Sequence, residues 1–158
     1  KQFSGVKRRF EIKGIFDDVM VVDDYAHHPT EVSATLRAIK NGWDRRLVAV
    51  FQPHLYSRTQ DLYEDFARSF LISDVLLVTD VYPAREEPIA GVTGELITNM
   101  AKSMGHENVY WVEDKKRLVA AMKALVEPGD LVITMGAGDI WRICDKYAAI
   151  LEKEVVEA

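Results

Sequence analysis

The stretch RLVAVFQPHLYSRTQDLYEDFARSFLISDVLLV (46–78) decides the fold class. Its first part, RLVAVF (46–51), is a continuous apolar run of strand length, apolar on both of its faces. Leu62, Phe66 and Phe70 then recur at helical spacing, and VLLV (75–78) is a second two-sided apolar run. Strand, helix and strand in that order form a crossover unit, with parallel strands and the helix packed across them. The alternation continues in both directions. Upstream, VMVV (19–22) precedes a helix opened by Pro29, with Glu31 favourable at its positive end, Val32, Leu36 and Ile39 on one face, and Asn41-Gly42 closing it. Downstream, a helix carrying Leu96, Met100 and Met104 stops at Gly105, and VYWV (109–112) follows. Asp114 can cap the next helix, which carries Leu118, Met122 and Leu125 and ends at Pro128-Gly129. LVITM (131–135) is the last strand, followed by a helix presenting Ile140, Ile143, Tyr147 and Leu151. Phe10, Ile12 and Phe16 alternate ahead of the Asp17-Asp18 turn, giving a strand that pairs antiparallel with VMVV. The expectation is an α/β fold: a doubly wound, Rossmann-like, mostly parallel sheet of about six strands with helices on both faces and one N-terminal antiparallel edge strand. Its crossovers should be right-handed.

Composition narrows the function. The chain has 158 residues, enough for one domain, and a chain of that size buries roughly 70% of its unfolded surface without metal or disulfide staples. Apolar residues at 48% and charged residues at 28% exclude disorder as the main state. With 20 Lys+Arg against 25 Asp+Glu, the net charge of −5 argues against nucleic acid and anionic membranes as partners. The single cysteine, Cys144, lies in an apolar helical pattern and reads as a small core residue in a reducing setting, so a cytoplasmic location is expected. Charges break every long apolar run, as Asp74 does in FLISDVLLV, so no segment reaches the ~20 apolar residues of a membrane span. The basic start KQFSGVKRRF lacks the apolar region of a signal peptide. Residues 1–9 read as a linker or fragment edge, and 10–158 as the domain.

Ligands of open parallel sheets bind beyond the carboxyl ends of the strands. That rule selects Asp23-Asp24-Tyr25-Ala26-His27-His28-Pro29, the segment Gln52 to Thr59, Asp80 with Tyr82 and Arg85, and Gly136-Ala137-Gly138-Asp139. Three of the four histidines fall there, with His106 assigned to a solvent turn. Asp23 and Asp24 are strand neighbours and point to opposite faces, so only one can enter a given pocket; both could equally satisfy turn donors. Two carboxylates beside two histidines raise the question of a metal, but nothing fixes a ligand geometry and no metal site is assigned. His54 and Arg58 share a face of a first helical turn. An arginine at a positive helix start makes sense if an anion binds between the helix N–H groups and the guanidinium, although a solvated arginine fits the same pattern. GAGD (136–139) suits close backbone approach but lacks the spacing of a dinucleotide fingerprint, and no G-x-x-x-x-G-K-[ST] phosphate loop occurs.

Taken together, DDYAHHPTEV (23–32), FQPHLYSRT (51–59), VYPAREEPIAGVTGE (81–95) and GAGDI (136–140) resemble the C-terminal domain of the Mur ligases. The resemblance covers essentially the whole chain, in the expected order, including GVKRRFE (5–11). The D-Y-A-H of this sequence also resembles the D-x-A-H-N-P of folylpolyglutamate synthases. The doubled histidine with F-Q-P-H-x-x-x-R-T is similar to the alanine-adding branch or its tripeptide-recycling relative. The resemblance implies a three-domain enzyme, in which UDP-sugar and P-loop domains lie upstream and supply the missing phosphate loop. ATP and Mg²⁺ would phosphorylate the muramoyl carboxylate of UDP-N-acetylmuramate. The amino group of L-alanine would then attack the acyl phosphate, with ADP and phosphate leaving. This domain would close over the central one as a lid, inactive alone and holding no cofactor by itself. By the same resemblance, Arg9 would reach the ATP phosphates and Asp24 would position the nucleotide. Tyr25, His27, His54 and Arg58 would form the L-alanine pocket, with Arg58 gripping the carboxylate and His27 counted with Arg9 and Asp24 as catalytic. Either His27 or His54 could assist loss of the amine proton. Two readings of other classes compete: a non-catalytic nucleotide- or anion-binding module, and a Mg²⁺-dependent phosphohydrolase built on Asp23 and Asp24.

Overall fold

The computed structural model describes residues 8–158, so the expected linker over 1–9 falls mainly on residues 1–7, outside the described residues. Valine, leucine and isoleucine build β2 (Val19–Asp24), β3 (Leu47–Phe51), β4 (Val75–Val78) and β6 (Leu131–Met135). Every residue of these four strands is buried, as strands covered on both faces require. Two further strands, β1 (Glu11–Phe16) and β5 (Val109–Trp111), form the partly exposed edges. The strand order is β1-β2-β6-β3-β4-β5. The β1–β2 pair is antiparallel, and the other neighbours are parallel. Asp17 and Asp18, with φ of 50° and 61°, make the two-residue turn between β1 and β2. Both sit in the left-handed region that tight hairpins need, which Asp tolerates better than most residues.

The helices are α1 (Pro29–Gly42), α2 (Tyr56–Ser69), α3 (Glu95–Ser103), α4 (Leu118–Leu125) and α5 (Ile140–Glu157). Steps from β2 to β3, β4 and β5 run one way across the sheet, and right-handed crossovers then place α1, α2 and α3 on one face. The return from β5 to β6 runs the other way and places α4 opposite. Two cores follow. Leu36, Phe66 and Ile97 pack against Val22, Ala49 and Ile133 on the first face. Met122, Cys144 and Tyr147 pack against Val21, Val50 and Val132 on the second.

Three local expectations are corrected. The buried stripe of α3 is Ile97, Thr98 and Ala101, while Leu96 and Met100 are half-buried at its margin. Ile97 and Ala101 pack into the core there, and the Thr98 hydroxyl donates to Glu95 O at 3.0 Å within the helix. In α5 the buried positions are Ile140, Cys144, Tyr147 and Ala148, with Ile143 and Leu151 at the edge. His106 is half-buried rather than in a solvent turn: its Nε2 lies 3.2 Å from Ser73 Oγ, and its Nδ1 accepts from the Asn108 amide at 3.2 Å. The thiol of Cys144 lies 3.7 Å from Val22 O, and burial pushes its pKa up to about 12, so it is an unreactive core residue. No described helix is long and apolar enough to cross a membrane.

Candidate functional site

β6 lies between β2 and β3, yet the chain leaves β6 toward one face and leaves β2 and β3 toward the other. This reversal opens a crevice at the carboxyl ends, where ligands of such sheets bind. The alternation of β2 separates its two aspartates across the crevice floor. Asp23 is fully buried on the α5 side. It accepts from Arg8 Nε at 2.9 Å and from the Thr134 hydroxyl at 2.7 Å. Arg8 also donates to Gly136 O at 2.9 Å and Gly138 O at 3.3 Å, so this guanidinium ties the entering chain to the glycine-rich turn. Asp23 is therefore consumed inside the protein. Asp24, on the α1 side, accepts from the Thr35 hydroxyl at 2.9 Å and from the Phe10 amide at 3.4 Å. It lines a cleft of about 320 Å³ with Arg9, Tyr25, Glu31 and Thr35. Arg9 is exposed at this cleft.

A line of aromatic and cationic groups continues from Tyr25. The Arg8 guanidinium lies 5.3 Å from the centre of the Tyr25 ring. Tyr25 is edge-on to His27 at 5.0 Å, and His27 is edge-on to His54 at 6.1 Å. His54 stacks on Tyr82 at 5.7 Å, and its Nδ1 lies 3.2 Å from Arg58 Nη1. Burial and the neighbouring Arg58 charge hold the His54 imidazole below its ordinary pKa. The same two causes, in the same order, lower His28. Burial raises the Glu31 carboxyl, but the amides of His27 and His28 donate to it at 3.0 and 3.2 Å, so its pKa falls below the usual range. Glu31 thereby fixes both histidine backbones at the start of α1.

Two turns owe their shape to contacts within the protein. A Cβ at Gly138 would stand 2.5 Å from Tyr82 Cγ and 2.6 Å from Gln52 Oε1, so the close approach anticipated for GAGD is made by the protein's own side chains. Gln52 also accepts from the Ile140 amide at 3.1 Å and donates to Asp139 at 2.8 Å. At the start of α2 the capping position is Leu55, which has φ of 73° and no polar side chain. The orphan donors of a helix start need an acceptor, and Glu86 supplies it, taking the Ser57 amide at 3.0 Å and the Ser57 hydroxyl. These donors hold Glu86 below the ordinary carboxylate range. The anion expected between the helix N–H groups and Arg58 is thus in part internal. Arg58 itself is half-buried and has no carboxylate within ion-pair distance among the described residues; its one side-chain partner is His54.

Residues 8–138 match the family described as "Mur ligase, glutamate ligase domain". The chain belongs to the Mur ligase family. It is 52% identical over 143 residues to the UDP-N-acetylmuramate–L-alanine ligase of Geotalea uraniireducens, covering 90% of this chain and 31% of that protein. It is 52% identical over 153 residues to the ligase of the same name from Salinibacter ruber, covering 96% and 32%. Among solved structures, the UDP-N-acetylmuramate-alanine ligase of Thermotoga maritima superposes with a TM-score of 0.77 at 27% identity, over 93% of this chain and 30% of that one. The chain spans about a third of the length of the curated relatives it matches. In this Mur ligase domain, Tyr25, His27, His54 and Arg58 form one continuous lip, and Asp24 and Arg9 share the adjoining cleft. Sequence reasoning missed Arg8, Glu86 and Tyr82 as organising groups. An α2 start with no Ser, Thr, Asp or Asn at its cap was the available signal for a remote acceptor such as Glu86.

Proposed function

We propose that this chain is the C-terminal domain of a cytoplasmic, ATP-dependent ligase that joins L-alanine to UDP-N-acetylmuramate through an acyl phosphate. The carrying observation is Arg58: a half-buried guanidinium at the switch-point crevice, beside His54 and with no carboxylate within ion-pair distance among the described residues. A planar fork of donors in that setting suits a small carboxylate, which it can hold by two parallel hydrogen bonds. L-alanine supplies such a carboxylate, and the identity to alanine-adding ligases supports the choice. Tyr25, His27 and His54 would form the wall of the same pocket, holding the amine for attack.

The residues of the adjoining cleft suit a nucleotide. Asp24 keeps acceptor capacity beyond its bonds to Thr35 and Phe10, which suits the hydroxyls of a ribose. Arg9, exposed at the rim, would meet the phosphates and offset charge that develops in transfer. Among the described residues no three His, Cys, Asp or Glu side chains are grouped for a metal, and the Mg²⁺ of the reaction is assigned to the ATP phosphates. The upstream UDP-sugar and P-loop domains would complete the site. An acyl phosphate is lost to water unless shielded, so closing the domain over it protects the intermediate.

The test uses the full-length protein that contains this chain. Phosphate release should require ATP, UDP-N-acetylmuramate and L-alanine together. In Arg58→Ala the KM for L-alanine should rise steeply. An alanine KM equal to that of the unsubstituted enzyme would remove Arg58 from the pocket.

A further inference from the structure

The hydrogen bonds around His27 and His54 fix which nitrogen of each ring carries the proton. A guanidinium only donates, so the His54 Nδ1 that faces Arg58 Nη1 at 3.2 Å must be the lone-pair nitrogen. Neutral His54 therefore carries its proton on Nε2. Its lowered pKa, caused by burial and then by Arg58, agrees with a neutral ring. His27 is the reverse case. Its Nδ1 lies 2.9 Å from Tyr25 O and 3.6 Å from Glu31 Oε1, and both of these atoms are acceptors. Nδ1 must donate, which leaves Nε2 of neutral His27 with a free lone pair. Two rings 6.1 Å apart on one lip thus hold opposite tautomers.

We infer that His27 is the proton acceptor of the amino-acid pocket and that His54 is a fixed donor. The inference rests on the ligase reading above and assigns the roles within it. The incoming amino acid carries an ammonium group, which has no lone pair. Nε2 of His27 takes one proton, giving a neutral amine and an imidazolium. The amine lone pair forms the C–N bond at the acyl-phosphate carbon, and the C–O bond to phosphate breaks. The leaving phosphate takes the second N–H proton and departs as hydrogenphosphate, while His27 returns its proton to water. Glu31 lies beside Nδ1 and stabilises the imidazolium, as the third member of a base-and-orienter arrangement does. The charged and titratable groups facing His27 are Glu31 from α1, Tyr25 and His28 from its own loop, and His54, with Arg58 beside it, further along the same lip. His54 cannot take the same role while Arg58 occupies its lone pair; its Nε2–H suits an anionic oxygen of the substrate or the intermediate.

Two measurements test this. Nitrogen-15 NMR of histidine-labelled chain at neutral pH should show His27 as the Nδ1–H tautomer and His54 as the Nε2–H tautomer. The opposite assignment at either residue would overturn the inference. In the full-length enzyme, His27→Asn retains a donor toward Tyr25 O but has no lone pair at the Nε2 position. Its kcat should fall about a hundredfold, the scale of a lost general base, with the KM for L-alanine little changed. The remaining rate should climb in proportion to hydroxide as the amine deprotonates in solution. His54→Gln retains an N–H near the Nε2 position, so its pH profile should keep the parent shape while the alanine KM rises. An unaltered pH profile in His27→Asn would defeat the base assignment. If the unsubstituted full-length protein released no phosphate in response to L-alanine, the ligase reading would fall and the base role with it, whereas the NMR signals would still test the tautomers alone.

Discussion

Asp23 and Asp24 are chemically identical neighbours with opposite fates, because the pleat of β2 sends them to opposite faces. Asp23 is fully buried against Arg8 and Thr134, whereas Asp24, also buried, lines the floor of the cleft. Their conservative substitutions should separate cleanly. Asp23→Asn leaves the Arg8 guanidinium without its counter-charge in a site that is largely closed to water, and breaking such a pair typically costs about 3 kcal/mol. Urea denaturation of the chain should show that loss as a lower midpoint. Asp24→Asn keeps the Thr35 contact available and should barely move the same midpoint, but in the full-length enzyme it should weaken ATP use and spare UDP-sugar binding. A stability loss from Asp24→Asn as large as that from Asp23→Asn would overturn the division of labour. The strand alternation made this split legible, but not its direction. Which aspartate is free to line the cleft depends on the side from which Arg8 arrives, and that is a contact between residues 15 apart.

The helices and strands were readable because their apolar period was uninterrupted. VLLV and LVITM become β4 and β6 without a shift at either end, since two-sided burial admits no other reading of such runs. Periodicity served α3 less well, because Leu96-Ile97 and Met100-Ala101 offer two adjacent apolar stripes, and only tertiary packing selects the Ile97–Ala101 one. The start of α2 was illegible for a different reason: its cap comes from Glu86, about thirty residues downstream. Replacing Glu86 with Ala removes the acceptor for the Ser57 amide. Hydrogen exchange at Ser57 should then accelerate, while the amides of α4, on the other face of the sheet, keep their rates. Unchanged protection at Ser57 would show that this helix start is held by something else.

For the molecule as a whole, the titrating groups set a stability profile. His28, His54 and His106 all have folded-state pKa values below 6.5, with burial the first cause in each case. The unfolded chain therefore binds more protons than the native one as pH falls below the ordinary histidine pKa, and stability declines with it. Asp74 and Asp139 also have lowered pKa values: burial raises each, and hydrogen bonds from Lys40 to Asp74 and from Lys115 and Gln52 to Asp139 more than offset it. Their contribution is present above the ordinary carboxylate pKa and is lost as pH drops through the folded values. Urea midpoints should thus be lower at about pH 5.5 than at about pH 7.5, where unperturbed histidines are mostly neutral, and His106→Gln should flatten the difference. A midpoint that rises on acidification through this range would contradict the lowered pKa values of these imidazoles. The fold and the gathering of polar groups at one rim were both legible from the sequence. The linkage between loops was not, because it is made by single long-range contacts rather than by pattern.

Those contacts have a mechanical corollary. His54 rests on Tyr82, Tyr82 fills the notch left by Gly138, and Gln52 bolts the same turn to the head of α5. Segments following β3, β4 and β6 are thereby riveted into one block. Three loops fastened to one another leave little room for any one of them to bend alone, so the spacing of His54, Tyr82 and the glycine-rich turn is set before anything enters the crevice.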